Sequence, residues 1–214
     1  MNHYRFLVLI SFVLSLSSCV STANTLKTEE KKNKVFRNEL FGLEVDILDK
    51  WVIQSAEQID SLREKGTDIV AGDDQRKRDQ IKASAQSSMN LLTVFQYPIG
   101  TVADFNASYT IVAENLAPFP GVKTEAEYLS SVKFILSKAQ VVYEFPEPDF
   151  KKEILGGKDF YTLNAIVKYG FYEIKQKYYT RISNGFVLSF IISYMHDSQK
   201  ADLDRMLTSV QFSK

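Results

Sequence analysis

Apolar and polar residues alternate through residues 159–168, 171–182 and 186–194, with breaks at Tyr169-Gly170 and Asn184-Gly185. Asn-Gly between two β-rich runs is a strong hairpin signal, because both central residues of a type I′ turn need positive φ. The three runs predict an antiparallel meander. In the second run Tyr172, Ile174, Tyr178 and Ile182 share one face, while Glu173, Lys175, Lys177 and Arg181 share the other. A period of two means one buried side and one wetter side. The third run sets Phe186, Leu188, Phe190 and Ile192 against Ser189 and Ser193 and reads as more central.

The rest of the chain reads as elements that cover or extend this sheet. Residues 35–37 and 41–47 form a predicted hairpin around Asn38-Glu39, closed by Asp49-Lys50-Trp51. Ser55 is expected to cap a helix carrying Ile59 and Leu62, with Gly66 as its stop. Gly72-Asp73-Asp74 breaks residues 67–88, and residues 75–82 read as an exposed loop or short surface helix. Strands are expected at 89–97 and within 105–116. Thr124 caps a helix over 125–139, in which Leu129, Val132, Leu136 and Ala139 form one stripe. Residues 141–145 are β-rich, and 150–155 lead into a turn at Gly156-Gly157. Ser198 is the expected cap of a last helix, striped by Leu203, Met206, Leu207 and Val210.

The start of the chain has a different pattern. Arg5 precedes an apolar run over residues 6–16, too short for the roughly 20 residues that a spanning helix needs. The run closes on Leu16-Ser17-Ser18-Cys19, which resembles the lipobox of bacterial lipoproteins. The resemblance implies a thioether-linked diacylglyceryl group on Cys19, cleavage before it and acylation, for example by palmitate, of the new amino terminus. A thiol suits this role because it is readily alkylated. Residues 1–18 are thus expected to be a signal peptide. Cys19 with residues 20–34 would be a lipidated tether, and 35–214 a single domain. Val20, rather than Asp, follows the cysteine, which favours the outer membrane, facing the periplasm, if the source is Gram-negative.

Composition narrows the partners. Lys+Arg and Asp+Glu are both 26, so no global field recruits nucleic acid. Arg76-Lys77-Arg78 is hemmed by Asp74 and Asp79 and lacks stacking aromatics. With Cys19 the single cysteine, no intramolecular disulfide forms.

Taken together, several features resemble the bacterial relatives of the PsbP and Mog-type fold, including DcrB-like lipoproteins. They are the hairpin ending in Trp51, Tyr97-Pro98, Gly156-Gly157-Lys158-Asp159-Phe160, the Gln-Lys-Tyr-Tyr strand at 176–179, Asn184-Gly185-Phe186 and the closing Ser209-Val210-Gln211-Phe212. The resemblance implies an α+β fold, an α/β/α sandwich around a largely antiparallel sheet. It brings no shared catalytic motif.

Little in the sequence points to catalysis. His196, beside Asp197, lacks the three or four converging ligands of a metal site. Paired acids such as Glu144 with Glu147, or Asp202 with Asp204, read as solvated. The expectation is a non-enzyme without cofactor or metal: a membrane-tethered binding or assembly module with an envelope protein as partner. Lys175, Lys177, Tyr179 and Arg181 are the candidate contact residues, on a strand face whose default reading is plain solvated sheet. The alternative is a carrier whose cleft is lined by Tyr161, Tyr172, Tyr178, Phe186, Phe190 and Tyr194.

Overall fold

The computed structural model describes residues 34–85 and 87–213. Cys19, the expected signal peptide and most of the expected tether lie outside them. In chain order the elements are β1 (Lys34–Asn38), β2 (Leu43–Ile47), β3 (Val52–Ile53), α1 (Ala56–Ala71), α2 (Gln75–Ala85), β4 (Ser88–Phe95), β5 (Ser108–Asn115), α3 (Glu125–Leu136), β6 (Val142–Glu144), β7 (Lys151–Leu155), β8 (Lys158–Tyr169), β9 (Tyr172–Ser183), β10 (Phe186–Tyr194), α4 (Asp197–Thr208) and β11 (Gln211–Phe212).

The meander β8–β9–β10 is the centre of an eight-stranded sheet, ordered β3-β4-β5-β10-β9-β8-β6, with β7 also on β8. Every pairing in it is antiparallel. β1, β2 and β11 form a second, three-stranded sheet. Strand alternation then makes two cores. Leu188, Phe190 and Ile192 of β10 face α4 and the small sheet, meeting Val45, Ile47, Leu203 and Met206. Val187 and Ile191 face the other way, onto Leu129, Val132 and Leu136 of α3. The result is the expected α+β architecture, an α/β/α sandwich on a largely antiparallel sheet.

Local chemistry explains most boundaries. Ser55 and Thr124 both form capping boxes, with Gln58 and Glu127 returning the bond. Asn184 and Gly185 take φ of 53° and 77°, and Ser183 pairs with Phe186, which is the type I′ geometry. Gly156 and Gly157 do the same between β7 and β8. The two glycines differ in surroundings. A Cβ on Gly156 would lie 2.8 Å from the Phe212 ring and 3.0 Å from the Val210 carbonyl oxygen, while one on Gly157 would meet open space. Gly157→Ala is expected to cost about 1 kcal/mol from backbone strain alone. Gly156→Ala should cost about 2 kcal/mol, because overpacking against β11 adds to the strain. Equal shifts in the urea midpoint would refute that packing contact.

Some boundaries differ from expectation. α1 runs through Gly66 to Ala71, since one mid-helix glycine costs only about 1 kcal/mol. Gly72, at φ 53°, is the actual stop, and its N–H reaches Asp68 O at 2.8 Å. Residues 75–85 are helical. α4 starts at Asp197 with His196, not Ser198, at the cap, because the Gln199 side chain accepts the backbone N–H groups of Met195 and His196. Between β8 and β9 the loop is Gly170-Phe171, and Tyr169 pairs with Tyr172. Gly170 supplies the positive φ at the first loop position, so Phe171 stands on the turn instead of starting a strand.

Candidate functional site

The face of β9 that carries Lys175, Lys177, Tyr179 and Arg181 is the one that packs on α4, and α4 leaves part of it uncovered. Tyr179 is buried and belongs to the core. Burial pushes its phenol well above the ordinary value, with the charge of Glu153 adding to the effect. The Lys177 ammonium lies 2.7 and 2.8 Å from the two carboxylate oxygens of Glu153 on β7 and 4.8 Å from the Tyr179 ring centre. Arg181 donates to the Asp159 carbonyl oxygen at 3.2 Å. Lys175 is exposed, with its ammonium 5.9 Å from the ring centre of Tyr194.

The basic strip read from the sequence is therefore interleaved with acid. Lys168 pairs with Glu173 and with Glu144, the latter at 3.5 Å, and Lys151 pairs with Glu147 at 2.6 Å. The hydrogen bonds from Lys151, first, and from Asn164 hold the Glu147 carboxyl below its ordinary pKa. Of the four candidate residues, Lys175 is the one presented outward. Lys177 is bound to a carboxylate, Arg181 to the backbone, and Tyr179 lies inside. Exposed pairs of this kind contribute about 0–1 kcal/mol each, so their main effect is to set the charge pattern of the face.

The remaining candidates separate. His196 sits 3.9 Å from Asp104, not against Asp197, and both side chains are exposed. No group of three or more His, Cys, Asp or Glu that could hold a metal occurs among the described residues. Asp202, expected to be solvated, is buried and pairs with Lys50 at 2.5 Å and Arg205 at 3.4 Å. It ties α4 to the turn before Trp51. The aromatic set does not line one cleft. Phe186, Phe190 and Tyr194 pack on the α4 side, Tyr161 and Tyr178 on the α3 side, and Tyr172 is exposed at the hairpin end.

One buried polar cluster was not anticipated. Glu114 on β5 is 2% exposed and accepts from the Tyr128 hydroxyl of α3 at 2.8 Å. Ser189 and Thr180 lie 3.1 Å apart, hydroxyl to hydroxyl, on the neighbouring strands. A cavity with room for about one water is lined by Val112, Glu114, Tyr128, Tyr178 and Ser189 among others. Burial first, and Glu114 next, push the Tyr128 phenol well above its ordinary value. A buried carboxylate held by a helix-borne phenol fixes how α3 docks on the sheet, because a polar group without its partner in the core is costly.

No family model matches this sequence, and no curated protein does. The solved structures similar to it include two that cover most of the chain. One is the crystal structure of LpqN, involved in cell envelope biogenesis of Mycobacterium tuberculosis. It is 12% identical with a TM-score of 0.47, over 87% of this chain and 93% of that one. The other is the solution structure of cyanobacterial PsbP (CyanoP) from Synechocystis sp. PCC 6803. It is 14% identical with a TM-score of 0.48, over 91% of this chain and 99% of that one.

Proposed function

We propose that the protein is a non-catalytic binding or assembly module of the bacterial cell envelope, tethered to the membrane by a lipid on Cys19. In a Gram-negative source it faces the periplasm from the outer membrane. The observation that carries the binding role is the partly uncovered β8–β9 face beside α4. It presents the exposed Lys175 in a field of paired charges, with Tyr194 beside it. A surface of that kind suits an envelope protein carrying a carboxylate and a flat apolar group. Mixed charge favours one register over others more than it adds affinity. The carrier reading has less support, since the aromatic residues belong to two opposite faces of the sheet.

The test is a photocrosslinking amino acid placed at position 175 in cells, followed by mass spectrometry of the adducts. A discrete protein adduct is expected from that position. A probe at Lys152, whose ammonium lies over Tyr161 toward the α3 side, should give none. Adducts of equal yield from both positions, or none from 175 in membranes that hold the protein, would overturn the assignment.

A further inference from the structure

Six of the twelve large apolar side chains exposed among the described residues lie at one end of the main sheet. Phe171 is wholly exposed at the tip of the β8–β9 hairpin, with Tyr172 next to it. Val142 begins β6 beside the same hairpin, opposite Lys168. Tyr97, Ile99 and Val102 stand out from the β4–β5 loop. The register puts these at one end. Tyr169 faces Tyr172, Lys175 faces Tyr194, Ser193 faces Ser108, and Ser108 faces Phe95. Phe105 of the β4–β5 loop packs with Val167 and Ile174 of the hairpin, so loop and hairpin are neighbours. A single exposed apolar residue is ordinary, but six gathered at one end are a surface feature. The Gly170-Phe171 turn needs glycine at its first position and gains nothing from phenylalanine at its second.

The chain enters the fold from the same end. The β1–β2 turn lies at the opposite end, where Asn184 donates to the Leu40 carbonyl oxygen at 3.5 Å and Phe41 meets Phe186 at 5.8 Å. Lys34, the first residue of β1, faces Ile47, from which the chain continues to β3 and its pairing with Phe95. Lys34, where the described residues begin, therefore lies on the hairpin-tip side.

We propose that this end is a membrane-contact surface, on which Phe171 and Tyr172, with Ile99 and Val102, rest in the headgroup boundary of the bilayer that holds the anchor. This rests on the Cys19 anchor proposed above. The Tyr172 ring, with its polar hydroxyl end, favours that boundary, and Phe171, Ile99 and Val102 supply the apolar area that it buries. Residues 20–33, read as a coil, span roughly 20 Å root-mean-square and at most about 50 Å, which suffices to lay the tip on the membrane. The tether makes contact intramolecular, at an effective concentration on the order of millimolar, so weak insertion is enough to populate it. The contact is apolar in character, because Lys168 is neutralised by Glu173 and Glu144, and Asp104 and Asp197 flank the surface.

Trp51 is the single tryptophan and is fully buried, so F171W adds one reporter over a constant background. The lipidated full-length variant would be reconstituted in vesicles of phosphatidylethanolamine and phosphatidylglycerol, with and without brominated acyl chains. A shift of the added emission to shorter wavelength and its loss to the brominated lipid are expected. Both should persist in high salt and in vesicles lacking phosphatidylglycerol. Water-like, unquenched emission from protein that floats with the vesicles would overturn the proposal, as would a contact that salt abolishes. Protein that fails to float counts against the anchor alone. Coupling Cys19, the chain's single cysteine, to a maleimide lipid then reads the docking by the same two signals.

Discussion

Metabolic labelling with a radioactive fatty acid is expected to mark the wild-type protein and to leave Cys19→Ser blank. The effect is all-or-none because it rests on one atom: a thiol is alkylated where a hydroxyl is not. One acyl chain holds a protein only marginally, whereas two or more hold it stably, at about 0.8 kcal/mol per buried methylene. Wild-type protein should accordingly stay with membranes through a salt wash. Loss of Arg5 with the signal peptide takes the 26 basic residues to one fewer than the 26 acidic ones, which leaves no net attraction for salt to screen. No described helix is long and apolar enough to cross a membrane, so within the described residues no helical span competes with the lipid. Label in both proteins would mean that acylation occurs elsewhere. Wild type released by salt alone would mean that the anchor is absent and the tethered module with it.

Features encoded within a few residues were legible in the sequence. The capping boxes at Ser55 and Thr124 need only residues three apart, and the Asn184-Gly185 turn needs two. The α3 and α4 stripes follow from the helical period: Leu129, Val132, Leu136, Leu203, Met206 and Leu207 are buried, while Ala139 and Val210 fall past the helix ends, which stop at Leu136 and Thr208. What the sequence hid depends on partners from distant strands. Glu153, which holds Lys177, reaches it only because β7 and β9 both flank β8. Asp202 is buried beside Lys50, which arrives from the distant turn between β2 and β3. Glu114 follows the apolar run Ile111-Val112-Ala113 of β5, and the Tyr128 hydroxyl on α3 reaches it only once the helix docks. β11 is two residues long and exists through its pairing with Glu44 and Leu43. The sequence breaks at Tyr169-Gly170, but the two-residue loop is Gly170-Phe171, because alternation and residue type do not fix which two of the three residues turn. Only the register shows that the strand ends one residue later and the next begins at Tyr172.

Phe190→Ala is expected to lower the unfolding free energy by about 4 kcal/mol. That is a large share of the roughly 5–15 kcal/mol typical of a domain. Phe190 is fully buried in β10, between Ile111 of β5 and Tyr179 of β9. Its ring meets Phe160 edge-on at 5.5 Å and Tyr109 at 6.2 Å. Both neighbours are fixed by ladder hydrogen bonds on either side, so the site cannot collapse to fill the void, and the cavity cost stands nearly in full. Thermal unfolding should fall by about 10 °C for a chain of this size. Phe160→Ala should be comparably harmful. The double variant should be less than additive by about 1 kcal/mol, the increment of an aromatic pair beyond its buried area. Phe171→Ala, which removes a ring from open solvent at the hairpin tip, should stay within about 0.5 kcal/mol of wild type. A Phe190 loss below about 2 kcal/mol, or strict additivity with Phe160, would mean that the core on the α4 face is looser than its geometry implies. The small sheet and α4, which share that core, would then not be held rigidly against the main sheet.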